Sequence, residues 1–143
     1  MHQEVHQFYA RQMWLLDNGE AARWAATFTE DGVFAESGKG DPLVGRGVIE
    51  LAAARRADAL AADGVARRHW LDMLAVDDHG DGTATARYSA LSILVPRGEQ
   101  PRIFAGTRAQ DLLVRVNGGF EVRHRVVSHD GRDKVAATQE APA

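Results

Sequence analysis

The stretch RRHWLDMLAVDDHGDGTATARYSALSILV, residues 67–95, decides the fold. After Gly64 the period changes from helical to strand-like, and the two halves, Arg67 to Asp77 and Thr83 to Val95, read as paired strands. Between them His79-Gly80-Asp81-Gly82 is a hairpin turn, because it concentrates residues that tolerate positive φ. Downstream, Pro96-Arg97-Gly98 ends the second strand and Arg102 to Val116 forms a third. Asn117-Gly118-Gly119 then turns the chain into a fourth, Phe120–Ser128. Four strands joined by tight turns make an antiparallel meander.

Upstream of the meander the period is helical. Val5, Phe8, Tyr9, Met13 and Leu16 recur on one stripe between Glu4 and Asp17, with Gln12 beside them, and Asn18-Gly19 stops the helix. A second helix is predicted over Glu20 to Phe28, with Trp24 and Phe28 one turn apart. Thr29-Glu30-Asp31-Gly32 is a turn, and Val33 to Glu36 is a short strand. The turn formers from Ser37 to Pro42 make a loop. After Arg46-Gly47, an alanine-rich helix runs from about Val48 to Ala62 and stops near Asp63-Gly64. Helices gathered first and strands gathered later define an α+β fold. Three helices on one face of a curved sheet enclose a cone-shaped pocket. One domain spans residues 1–130, and the polar, alanine-rich segment 131–143 is a flexible tail.

Composition narrows the chemistry. The chain carries 20 acidic and 17 basic side chains, a net charge of −3, so it has no positive field to hold a phosphate backbone, and nucleic acid is not an expected partner. With no cysteine, thiolate catalysis, disulfides and cysteine-held metals are excluded. His2 and His6 have metal-ligand spacing but no third ligand nearby, so no metal and no cofactor are expected. No run reaches the ~18 apolar residues of a membrane span. The N-terminus lacks the pattern of a signal peptide. The expected location is cytoplasmic.

The stretches Tyr9-Ala10-Arg11-Gln12-Met13-Trp14-Leu15-Leu16-Asp17-Asn18-Gly19 and Trp24-Ala25-Ala26-Thr27-Phe28-Thr29-Glu30-Asp31-Gly32-Val33-Phe34 resemble the opening of SnoaL-like proteins of the nuclear transport factor two-like superfamily. Asp111 to Arg125 is similar to that family's last hairpin. With Arg46-Gly47, the resemblance covers most of residues 4–129. It implies the cone fold and a homodimer paired through the open sheet face. It specifies the reaction poorly, because the superfamily includes polyketide cyclases, scytalone-type dehydratases, epoxide hydrolases, ketosteroid isomerases, dioxygenase β subunits and binding proteins.

Strand alternation selects the residues for chemistry. His69 lies in phase with Leu71, Met73 and Ala75; Tyr88 with Ala84, Ala86 and Ala90; His124 with Phe120, Val122 and Val126. Each is either a hydrogen-bonded core residue or part of a pocket. An imidazole titrates near neutrality and serves as acid or base. The position of His69 at the start of a long strand is similar to that of the catalytic histidine of scytalone-type dehydratases. Asp17 resembles the helix-end aspartate of that family, and its alternative is helix-end turn chemistry. Tyr88 is a donor for an enolate or carbonyl oxygen. His124 is a second acid–base group, although Arg123-His124-Arg125 reads equally as a solvated rim. Arg108 is an anion ligand or the partner of Asp111 or Glu121. Trp14, Trp24, Phe28, Phe34 and Met73 serve as core and as the wall for a flat ligand. The pairs Arg55-Arg56 and Arg67-Arg68, balanced by Asp58 and Asp63, are expected on a solvated face.

These readings converge on a cofactor-independent enzyme doing acid–base chemistry, cyclisation or dehydration, on a hydrophobic polyketide-like or aromatic substrate. The alternative is a non-catalytic protein, either a ligand-binding module or a dioxygenase β-subunit-like partner.

Overall fold

A computed structural model of the protein describes residues 1–132; of the expected tail, residues 133–143 lie outside the described ones. The chain runs α1 (His2–Asp17), α2 (Ala21–Ala25), β1 (Phe28–Glu36), β2 (Leu43–Val44), α3 (Arg46–Ala62), β3 (Val65–Asp78), β4 (Thr83–Pro96), β5 (Arg102–Val116) and β6 (Gly119–His129). The strands form one sheet in the order β2-β1-β6-β5-β4-β3. Only β1 and β6 pair in parallel; every other neighbour is antiparallel. The two edges, β2 and β3, do not meet, so the sheet is unclosed and its concave face is roofed by the helices. This is the expected α+β cone. No helix among the described residues is long and apolar enough to cross a membrane.

The second helix is shorter than its pattern predicts. Thr27 donates from both its amide (3.0 Å) and its hydroxyl (2.6 Å) to the Trp24 carbonyl, closing the last turn. The Val122 amide then captures the Thr27 carbonyl at 2.9 Å, and strand pairing overrides the helical stripe. Phe28 consequently opens β1. The expected turn Thr29–Gly32 is present as an irregularity inside that strand, where the register with β6 shifts between Phe28 and Val33. Gly32 makes the bend possible, since a Cβ there would sit 2.9 Å from the Thr29 carbonyl oxygen and 3.1 Å from the Phe28 Cβ.

Two bulges matter more for function. Between Asp72 and Ala75, β3 carries one residue more than β4, and Met73 takes a φ of 57°. Between Val122 and His124, β6 carries one residue more than β5. An extra residue reverses the alternation beyond it.

The core lies between α1, α2, α3 and the concave face. Tyr9, Phe28, Ile49, Leu113 and Val122 are its large, fully buried side chains. Through its middle runs a polar network. Arg125 donates to both oxygens of Asp111, at 2.9 and 2.7 Å, and to Gln12 Oε1 at 2.8 Å; the Tyr9 hydroxyl donates to Asp111 at 2.7 Å. The guanidinium also lies 5.3 Å from the Phe28 ring centroid and 5.7 Å from that of Tyr88. A buried charge needs this degree of satisfaction. It also explains the in-phase Gln12 on the apolar stripe of α1.

Candidate active site

The helix stop at Asn18-Gly19 and the start of β3 bring two sequence-distant residues together. Asp17, on the last turn of α1, accepts from His69 twice: from the backbone amide to Oδ2 at 2.9 Å, and from Nδ1 to Oδ1 at 2.6 Å. Both side chains are largely buried. A carboxylate accepts and does not donate, so the proton between them belongs to His69 Nδ1. In the neutral imidazole the other ring nitrogen, Nε2, then carries the lone pair. The two-point grip fixes both the tautomer and the orientation of the ring.

The pair lines a cavity of about 420 Å³ between α1 and the edge strand β3. That is within the ~300–1,000 Å³ range of small-molecule sites. His6, Tyr9, Met13 and Trp14 form its helical wall, and Arg68, Trp70 and Leu71 join His69 on the strand side. Trp14 and Trp70 are both exposed, so two indole faces flank the opening. Such faces offer stacking area to a flat ligand at small entropic cost.

Tyr88 lies behind this wall. Its ring packs against Tyr9 at 4.8 Å between centroids, and its hydroxyl makes no hydrogen bond to a described residue. Burial, above all, pushes both phenols well above their ordinary range, so both remain O–H donors at neutral pH.

The other sequence candidates are placed elsewhere. His124 follows the β6 bulge and shares the convex face with Leu112, opposite its predicted companions Phe120 and Val122; the inward position goes to Arg125. Its Nδ1 is buried without a hydrogen-bond partner. Met73 sits in the β3 bulge, 78% exposed, while Leu74 and Val76 turn inward in place of Met73 and Ala75. Arg108 is exposed on the convex face. Trp24, Phe28 and Phe34 pack edge-to-face or tilted on one another, with centroids 5.1–6.2 Å apart, in the core beside β1 and away from the cavity. Among the expected substrate contacts, Trp14 alone lines it.

Three features escape the sequence reading. Arg125 is a buried ion-pair partner, although it sits in a run of charges. His129 Nε2 lies 2.7 Å from Glu36 Oε1, a second histidine–carboxylate pair at the far side of the sheet. Arg67 is turned into the cone; its spacing of two from His69 is the signal that reveals this.

Comparison with known proteins gives a consistent result. A family profile described as a SnoaL-like domain matches residues 2–126. Among solved structures, ActVI-ORFA from Streptomyces coelicolor is 34% identical with a TM-score of 0.83, over 92% of this chain and 96% of that one. Aln2 from a Streptomyces species is 38% identical with a TM-score of 0.81, over 89% of each chain. A Catenulispora acidiphila protein, whose structure is a complex with S-DNPA, is 34% identical with a TM-score of 0.78, over 91% of this chain and 93% of that one. No curated protein matches the chain.

Proposed function

The chain belongs to the SnoaL-like family, and on that premise we infer that it is a cofactor-independent enzyme performing proton-transfer chemistry on a small, flat, largely apolar molecule. The observation that carries this reading is the Asp17–His69 contact of 2.6 Å on the wall of the cavity. The small-molecule character of the ligand is supported by the Catenulispora relative's complex with S-DNPA.

In this reading His69 Nε2 takes a proton from a carbon beside a carbonyl, with Asp17 stabilising the imidazolium that results. In a dehydration, the bond electrons left on carbon form an enolate. The imidazolium then returns its proton to the departing β-hydroxyl, which leaves as water as the double bond forms. In a cyclisation the same enolate attacks an electrophilic carbon, and the proton goes to the new alkoxide. On the same reading the phenol of Tyr88, packed 4.8 Å from the ring of the cavity-lining Tyr9, donates to the enolate oxygen. The reading includes a homodimer paired through the convex sheet face. Support comes from Ile103, 67% exposed, on that face with Leu91 and Ile93.

The test is product formation from polyketide-type β-hydroxyketones by wild type and His69→Ala. Conversion lost in the variant with the fold retained supports the reading. Equal rates remove His69 from the chemistry, and binding without conversion identifies a ligand-binding protein.

A further inference from the structure

The geometry points to His6 as a specificity-determining residue of the cavity, reading an oxygen at the end of the ligand opposite the carbon presented to His69. The inference rests on the small-molecule reading of the cavity and deepens it by naming what the far end of the ligand carries.

His6 belongs to the series His6, Ala10, Met13, Trp14 and Asp17, which follows one face of α1 and lines the cavity. Its first and last members are about 16 Å apart at the helical rise per residue. His6 therefore stands at one end of the helical wall, and the Asp17–His69 pair at the other.

The spacing of His2 and His6 places them on a chain terminus, yet the first turns of α1 are tied down. His2 Nε2 lies 3.0 Å from the Leu74 carbonyl oxygen of β3, Glu4 pairs with Arg115 at 3.4 Å, and Val5 is fully buried. The turn that carries His6 is thus held beside the cavity rather than frayed.

The other polar groups of the helical wall near His6 are engaged. The Tyr9 hydroxyl donates to Asp111, and Asp17 accepts from His69. Ala10 and Met13 add only apolar surface. The side chain of His6 is exposed, and it makes no hydrogen bond or ion pair with a described residue. A neutral imidazole presents one donor and one acceptor, so it pairs with a hydroxyl or a carbonyl oxygen. Allowing about 2.8 Å for a hydrogen bond at each end, the wall suits a rigid ligand whose terminal oxygens are about 11 Å apart. Holding one end at His6 fixes which carbon rests beside His69, as reaction at a single position requires.

The experiment is equilibrium dialysis of the full chain against 4,4′-dihydroxybiphenyl and 4-hydroxybiphenyl, which share one rigid body and differ in the far hydroxyl. Wild type is expected to bind the diol about fivefold more tightly, the effect of one hydrogen bond. His6→Phe is expected to bring the two within about twofold, the margin that a symmetric ligand keeps through its two equivalent orientations, by weakening the diol alone. His6→Gln, which still donates and accepts, is expected to keep the preference. Equal binding of both probes by wild type overturns the role of His6 and leaves the small-molecule cavity standing. A preference that persists in His6→Phe overturns it equally. Equal weakening of both probes in that variant makes the ring a wall rather than an oxygen contact, and also overturns it. Failure of wild type to bind either probe overturns this inference and the cavity reading together.

Discussion

The guanidinium of Arg125 forks onto the carboxylate of Asp111 through two hydrogen bonds of 2.9 and 2.7 Å, with both side chains almost wholly buried. This pair joins β5 to β6 under α1, and the Tyr9 hydroxyl and Gln12 complete it from the helix. Removing one partner strands the other charge. Arg125→Met and Asp111→Leu are each expected to cost about 3–5 kcal/mol in urea denaturation, whereas the double variant recovers most of that loss. Additive losses in the double variant would show that the pair is not coupled.

For the Asp17–His69 pair, His69→Ala is expected to lower the rate of conversion by roughly 10²–10⁴. Asp17→Asn should lower it by less, because an amide oxygen still accepts from Nδ1 but no longer stabilises the imidazolium. Single-turnover rates, with circular dichroism as the control for folding, measure both.

The buried phenols give a stability profile at alkaline pH. Burial raises the folded-state values of Tyr9 and Tyr88 above the unfolded value of about 10. Below that pH the phenols are neutral in both states. Above it the unfolded chain loses protons that the folded chain keeps, so stability falls as pH rises, by up to about 1.4 kcal/mol per pH unit for each phenol. Tyr88→Phe is expected to flatten this slope between pH 10 and 11 in denaturant titrations. An unchanged slope would place the effect elsewhere.

At the β3 bulge, Met73 holds a φ of 57° with its side chain in solvent. A left-handed conformation costs a side-chain-bearing residue roughly 1–2 kcal/mol, part of which glycine returns through its greater unfolded-state entropy. Met73→Gly is therefore expected to raise stability by about 0.5–1 kcal/mol. A fall in the denaturation midpoint would show that the methionine is held by packing.

On the convex face, Ile103→Glu is expected to shift the sedimentation coefficient from dimer to monomer, since a buried unpaired carboxylate opposes association. A wild-type chain that sediments as a monomer would remove the dimer from the functional reading.

The sequence by itself determined the order and type of the elements apart from the two-residue β2 (Leu43–Val44), because the helical stripe of α1 and the turn clusters at residues 79–82 and 117–119 are local signals, whereas so short an edge strand carries no periodicity. It also determined the inward direction of His69, which precedes the first bulge and keeps the simple alternation of its strand. Met73 and His124 were not legible in the same way. Each lies in or beyond a bulge, and one extra residue exchanges the faces of everything that follows. Whether a strand bulges depends on its partner's register and on the twist of the whole sheet, neither of which leaves a pattern in neighbouring residues. The same limit hid Arg125, whose burial requires Asp111, Gln12 and Tyr9 from two other elements. Tertiary structure alone closed the gap between Asp17 and His69, 52 residues apart, because only packing of α1 on the edge strand brings a helix end to a strand start.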